Sequence, residues 1–153
     1  MIRVISGDLL EAKEVLIVHQ VNCMGVMDKG VAKQIREKWP EVYDGYSAMC
    51  KSYGNFRREL LGCVYWKCVG LNKYIGNLFG QYGCASDGKR HTDYVALREG
   101  LLKVRDFSEG GRVDIAMPYG IGCGNGGGDW DGKVFPMIQE IFDGFDVTLY
   151  KRF

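Results

Sequence analysis

The residues best suited to chemistry lie in a glycine-dense segment, Met117-Pro-Tyr-Gly-Ile-Gly-Cys-Gly-Asn-Gly-Gly-Gly-Asp-Trp130. Glycine gives up more backbone freedom on folding than any other residue, so such a run needs a use. It is either a flexible surface loop or a place where backbone N–H groups close on an anion. The flanks favour the second use. A short apolar run, Val113 to Met117, precedes the segment, and an Asp-Trp helix start follows it, so both ends are held on rigid elements. The centre of such a cradle is Gly122, Cys123, Gly124, Asn125 and Gly126.

Other candidates are spread along the chain. Asp8, in Ser6-Gly7-Asp8-Leu9, could accept a hydrogen bond from a base amino group or a ribose hydroxyl, or serve as a turn or cap aspartate. Asn22 ends an apolar stretch and can bind ribose hydroxyls or hold its own loop. Gly25 and Gly30 bracket a helix start, a second place for an anion. Asp129 and Asp131 flank Trp130. An N-cap role suits both, and one of them could instead polarise a water above the loop. Cys123 has no basic neighbour in sequence to lower its pKa and is expected to pack. His19 sits in an apolar strand as a core histidine, and His91 is expected to be exposed. With only these two histidines a Ser/His/Asp or metal–histidine mechanism has little material.

The elements that must position these residues follow from the apolar pattern. Strands are expected at Ile2 to Ile5, Val15 to Val21, Cys63 to Val69, Lys73 to Phe79, Val113 to Met117 and Asp146 to Tyr150. The link Gly70 to Asn72 suits a hairpin turn. Helices are expected from Val31 to Trp39, stopped by Pro40, and from Val42 to Tyr53 with Tyr43, Tyr46 and Met49 on one side. A third starts after Thr92 as N-cap, with Tyr94, Leu97, Leu101, Leu102 and Val104 on its apolar side. A fourth runs from Trp130 to Phe142, where Pro136 marks a kink or a late start. Strands alternating with helices imply a layered α/β fold with a largely parallel sheet, mixed at the hairpin, whose ligand lies at the carboxyl ends of the strands.

Composition excludes several classes. A net charge of +1 without long runs of one sign argues against a dedicated nucleic-acid or membrane-surface binder. No apolar stretch approaches the roughly 18 residues of a membrane span, and the start reads as a strand rather than a signal peptide. The six cysteines form no CxxC pair, so no metal site is expected, and a reducing cytoplasm suits them. Neither GxGxxG nor GxxxxGK[ST] occurs. Residues 1–153 are expected to form one domain.

Taken together, the motifs resemble the macrodomain family of ADP-ribose-binding modules over nearly the whole chain. Ser6 to Leu9 is similar to the family's first-loop motif. Val18-His-Gln-Val-Asn22 and Met27-Asp-Lys-Gly-Val-Ala32 are similar to the strand, phosphate loop and helix that follow. Met117-Pro, Ile121-Gly-Cys-Gly124 and Trp130 resemble the second phosphate loop. That last motif is nearest to the branch with the terminal ADP-ribose protein glycohydrolase and the DNA-ADP-ribosyl glycohydrolase antitoxins. The resemblance implies a three-layer α/β/α sandwich with a mixed, mostly parallel six-stranded sheet. It implies that Asp8 and Leu9 hold adenine, that Gly30, Val31 and Gly122 to Gly126 cradle the diphosphate, and that Asn22 and Asn125 lie near the distal ribose. No cofactor is implied.

Two positions depart from that branch. Gln81 or Gly80 stands where its glycohydrolases carry a lysine, and Gly126 stands where the protein glycohydrolase carries an aspartate. Lysine can attack an anomeric carbon and form a Schiff base, whereas glutamine cannot. Lys89 is a substitute further along the same loop. The expected function is therefore ADP-ribose binding with hydrolysis of a derivative by a held water. That derivative is ADP-ribose-1″-phosphate, an acyl-ADP-ribose or an ADP-ribosylated protein or nucleic acid. Asn22, Gln81 and Asp129 are the candidate catalytic residues. The alternative is a non-catalytic reader or sequestering module.

Overall fold

The computed structural model describes residues 1–152. Six strands form one sheet: β1 (Ile2–Ser6), β2 (Leu16–Asn22), β3 (Val64–Gly70), β4 (Lys73–Gln81), β5 (Ile115–Pro118) and β6 (Val147–Lys151). Their order is β1-β6-β5-β2-β4-β3. All neighbours are parallel except the β3–β4 hairpin. Asn72 turns that hairpin in the left-handed region at φ 52°, a conformation asparagine tolerates.

The sheet is covered on both faces. Leu16, Val18, Leu78, Met117 and Leu149 pack toward α3 (Tyr94–Gly111) and α4 (Phe135–Ile141), while Ile17, Val21, Ile75, Phe79 and Ala116 pack toward α1 (Gly30–Lys38) and α2 (Pro40–Ser52). Alternate residues of each strand thus feed opposite layers, as the period of two requires. This is the expected three-layer sandwich.

The expected strands are all present, and their boundaries differ by a residue or two. Pro40 ends α1 and also opens α2 as its first residue, where a missing N–H costs nothing. The buried side of α2 is Val42, Tyr46, Ser47 and Cys50. Tyr43 and Met49 are half-buried at its margin.

Three local expectations need correction. Thr92 does not cap α3. Asp93 does, accepting from the Ala96 N–H at 3.0 Å. The helix expected from Trp130 begins as a wide π turn over Trp130–Val134, in which the Asp129 carbonyl receives both Lys133 and Val134 N–H groups. Regular helix starts at Phe135, with Pro136 in its first turn, so Pro136 marks the late start. His91 is half-buried and pairs with Asp87 at 2.7 Å.

Candidate functional site

The carboxyl ends of β2, β4 and β5 open into a cleft of about 440 Å³. One wall is the start of α1, from Lys29 to Ala32, and the other is the glycine segment from Gly120 to Gly126. Gln20 and Gln81 rise between them. A larger hollow of about 660 Å³ lies by α1 and α2, but charged side chains such as Lys33, Arg36, Glu37 and Asp44 rim it. It has none of the backbone chemistry described next.

The glycine segment is folded so that its carbonyls turn toward the protein. Gly122 O accepts from Gly128 N–H at 2.9 Å and from the Thr92 hydroxyl at 2.6 Å. Gly126 O accepts from the N–H groups of His91 and Thr92, at 2.7 and 2.9 Å. Gly120 O and Gly124 O accept from Cys123 and Gly127 N–H groups. Among the described residues, the N–H groups of Gly122, Gly124, Asn125 and Gly126 have no acceptor in the protein. A strip of unpaired donors therefore borders the cleft. Gly122 holds φ at 77°, which a side chain would resist. Gly126 has no room for one, because a Cβ there would overlap the Thr92 hydroxyl and lie 2.7 Å from Gly122 O.

The opposite wall adds a second set of donors. No side chain caps α1, and no acidic residue stands in its first turn. The N–H groups at the start of a helix have no partner within it and carry the positive end of its dipole. The two walls together make a site for an extended anion.

Gln20 ties the walls to the floor. Its amide nitrogen donates to Gln81 Oε1 and to Thr92 Oγ1, both at 2.8 Å. The Gln81 amide in turn donates to Gly83 O at 2.7 Å, and Gln81 and Thr92 form an antiparallel bridge. Sequence reasoning missed both Gln20 and Thr92. The signal available was a polar pair, His19-Gln20, inside an otherwise apolar run.

The other candidates fall in different places. Gly30, Val31, Gly122, Gly124, Asn125, Gly126 and Gln81 all border the cleft. Asn22 borders a smaller adjoining cavity of about 90 Å³, with Asp28, Gln81, Cys84 and Asn125. Its side chain holds its own loop. Oδ1 accepts from Met24 N–H at 2.9 Å and from the Tyr46 hydroxyl at 2.9 Å, and Nδ2 donates to Val26 O at 2.9 Å. Asp8 caps the short turn Leu9–Glu11 through Leu10 N–H at 3.0 Å, and Leu9 is buried in the core below α1. Neither borders the cleft.

Cys123 packs against the α3 side of the core, and burial, with Asp129 nearby, pushes its thiol up to about 11. Such a thiol is not a nucleophile at neutral pH. Asp129 caps the π turn through Gly132 N–H at 3.0 Å, and neither it nor Lys89 borders the cleft. Asp28, which sequence reasoning passed over, does face the smaller cavity. Among the described residues no group of histidine, cysteine and carboxylate side chains could hold a metal ion, and no helix is long and apolar enough to cross a membrane.

No protein-family model matches the chain. A DNA ADP-ribosyl glycohydrolase of Mycobacterium tuberculosis is 31% identical over 95% of the chain, and the match spans 40% of that protein. The chain thus covers about two fifths of the curated relatives it matches first. Among solved structures, a Bacteroides thetaiotaomicron protein of unknown function superimposes with a TM-score of 0.86 at 30% identity, covering 99% of this chain and 98% of that one. The macrodomain of Thermus aquaticus DarG gives 0.77 at 29% identity, covering 100% and 98%.

Proposed function

The chain belongs to the macrodomain family, on the branch of the DarG macrodomains, and on that premise we propose that its cleft binds ADP-ribose and hydrolyses an ADP-ribose derivative. The observation that carries the proposal is the strip of unpaired N–H groups on Gly122, Gly124, Asn125 and Gly126, facing the uncapped start of α1. A diphosphate has charge and oxygen atoms enough for both walls, and small backbone donors can approach it closely.

In this arrangement the adenine end points past Tyr119 toward Asp8 and Leu9, across β6. The distal ribose points toward Asn125, Gln81 and the smaller cavity with Asn22. A water there lies between the ligand's own phosphate and the Asp28 carboxylate. Asp28 takes the proton as the water's oxygen bonds to the scissile centre. The bond joining the distal ribose to the phosphate, acyl or macromolecular group breaks, and its electron pair leaves with the departing oxygen or nitrogen while the backbone N–H groups stabilise the charge that develops. The substrate class is ADP-ribose-1″-phosphate, an acyl-ADP-ribose, or an ADP-ribosylated protein or nucleic acid.

A second reading is a reader or sequestering module that does not turn its ligand over. Two observations favour it. Gln81 is held at both ends of its amide by Gln20 and Gly83 and cannot act as a lysine does. Gly126 has no space for an aspartate.

One experiment separates the readings. The protein is incubated with ADP-ribose-1″-phosphate, ADP-ribosylated protein and ADP-ribosylated DNA, with products read by mass spectrometry and ADP-ribose binding measured by calorimetry. Turnover of any of the three establishes the hydrolase. Binding without turnover leaves the reader, and absence of binding overturns both.

A further inference from the structure

Among the described residues, two buried side-chain polar atoms lack a hydrogen-bond partner: Nδ1 of His19 and Oε1 of Gln20. The two residues are consecutive on β2, so their side chains leave the sheet on opposite faces, and both border the cleft at its carboxyl end. Buried polar groups are nearly always paired, so an unpaired atom on each face beside the cleft points to a partner that arrives from outside.

Both atoms are acceptors. Asn77 donates its amide to Tyr65 O at 2.9 Å, which leaves Asn77 Oδ1 facing His19 Nε2 at 2.6 Å. Nε2 must therefore carry the ring proton, and Nδ1 holds a bare lone pair. His19 is 1% exposed, and burial lowers its pKa to about 4, so the ring is neutral at pH 7. Gln20 gives both amide hydrogens to Gln81 and Thr92, which turns its carbonyl oxygen into an acceptor without a donor.

The cleft thus has donors on its walls and acceptors on its floor. A phosphate oxygen only accepts, so it suits the walls and is repelled by the floor. A sugar hydroxyl donates and suits the floor. The bond to Asn77 ties His19 to β4, the strand that ends at Gln81, on the side away from Tyr119. We propose that His19 is a specificity-determining residue: its Nδ1 accepts a hydrogen bond from a hydroxyl of the ribose beyond the diphosphate. This rests on the ADP-ribose reading of the cleft and adds to it the means by which the second sugar is sensed.

The test is ¹⁵N nuclear magnetic resonance of the histidine rings in the full chain, free and with saturating ADP-ribose or ADP, which lacks the second ribose. Calorimetry runs on the same samples. The expected result is a shift of the His19 Nδ1 signal with ADP-ribose and none with ADP. In parallel, His19→Phe loses about tenfold in ADP-ribose affinity, the value of one hydrogen bond, and keeps its ADP affinity. A bound ADP-ribose that leaves Nδ1 unmoved, or ADP that moves it equally, overturns this inference alone. No ADP-ribose binding at all overturns the proposed function and this inference with it. If His19→Phe fails to fold, the wild-type spectra decide.

Discussion

Thr92 donates its hydroxyl to the carbonyl of Gly122 at 2.6 Å, so a side chain at the foot of α3 sets the orientation of a peptide in the glycine segment. The same oxygen receives the Gln20 amide. Thr92→Val keeps the shape and removes both bonds. It is expected to cost about 1–3 kcal/mol in urea denaturation, because it leaves a buried donor unpaired. It also weakens ADP-ribose binding by calorimetry, and Thr92→Ser restores both. A Val variant with wild-type affinity would show that the peptide orientation does not depend on Thr92.

Gly124 and Gly126 give opposite expectations. Nothing in the protein lies within contact of a side chain at Gly124, whereas Gly126 is closed in by Thr92 and Gly122. Gly124→Val should therefore fold with stability within about 0.5 kcal/mol of wild type. It should lose about tenfold or more in ADP-ribose affinity, the equivalent of one phosphate hydrogen bond. Gly126→Ala should instead lose about 1–3 kcal/mol of stability through overpacking. Thermal melts and calorimetry on the pair check this. Normal binding by Gly124→Val removes the loop from the cradle.

His19 gives the fold a pH dependence. Burial lowers its pKa from 6.5 to about 4, against the opposing hydrogen bond that its Nε2–H donates to Asn77. Between those values the unfolded chain holds a proton that the native state does not, so stability rises with pH there and falls as pH drops through the same window. The gap corresponds to about 3 kcal/mol lost between pH 6.5 and pH 4. Urea denaturation at pH 7 and pH 4 should show this loss in wild type, and His19→Phe should lose correspondingly less. Equal losses would place the acid sensitivity elsewhere.

Asp28 is the carboxylate in the cavity next to the cleft. If it takes the proton from the attacking water, Asp28→Asn lowers turnover of the ADP-ribose derivative by about 100-fold and leaves ADP-ribose binding intact, because the diphosphate is held by the two walls and not by this carboxylate. Mass-spectrometric product counts and calorimetry separate the two quantities. Undiminished turnover assigns the base elsewhere.

The layers and the sheet were legible because their signals are local and repeated. β2 opens on an unbroken apolar run, Leu16 to Val18, and α3 repeats its apolar residues at helical spacing. The glycine segment was legible because glycine has few other uses at that density. The positions of single polar side chains were not. Whether Asn22 faces a ligand or its own loop depends on Tyr46, 24 residues away. Whether Thr92 caps a helix or grips Gly122 depends on a contact spanning 30 residues. The π turn at Trp130 was hidden for a similar reason, since Asp129 and Pro136 are equally at home beside an ordinary helix.

The bridge between Gln81 and Thr92 closes the intervening loop at its base, and the grip on Gly122 and Gly126 comes from Thr92 at that closure and from His91 just inside it. The tip, around Ser86 to Lys89, is exposed. It is not detached from the anion cradle: Ser86 receives the ammonium of Lys29 at the start of α1, and the Lys89 carbonyl lies where a side chain on Gly127 would sit. An edit to that one surface tip is therefore felt on both banks of the cleft at once.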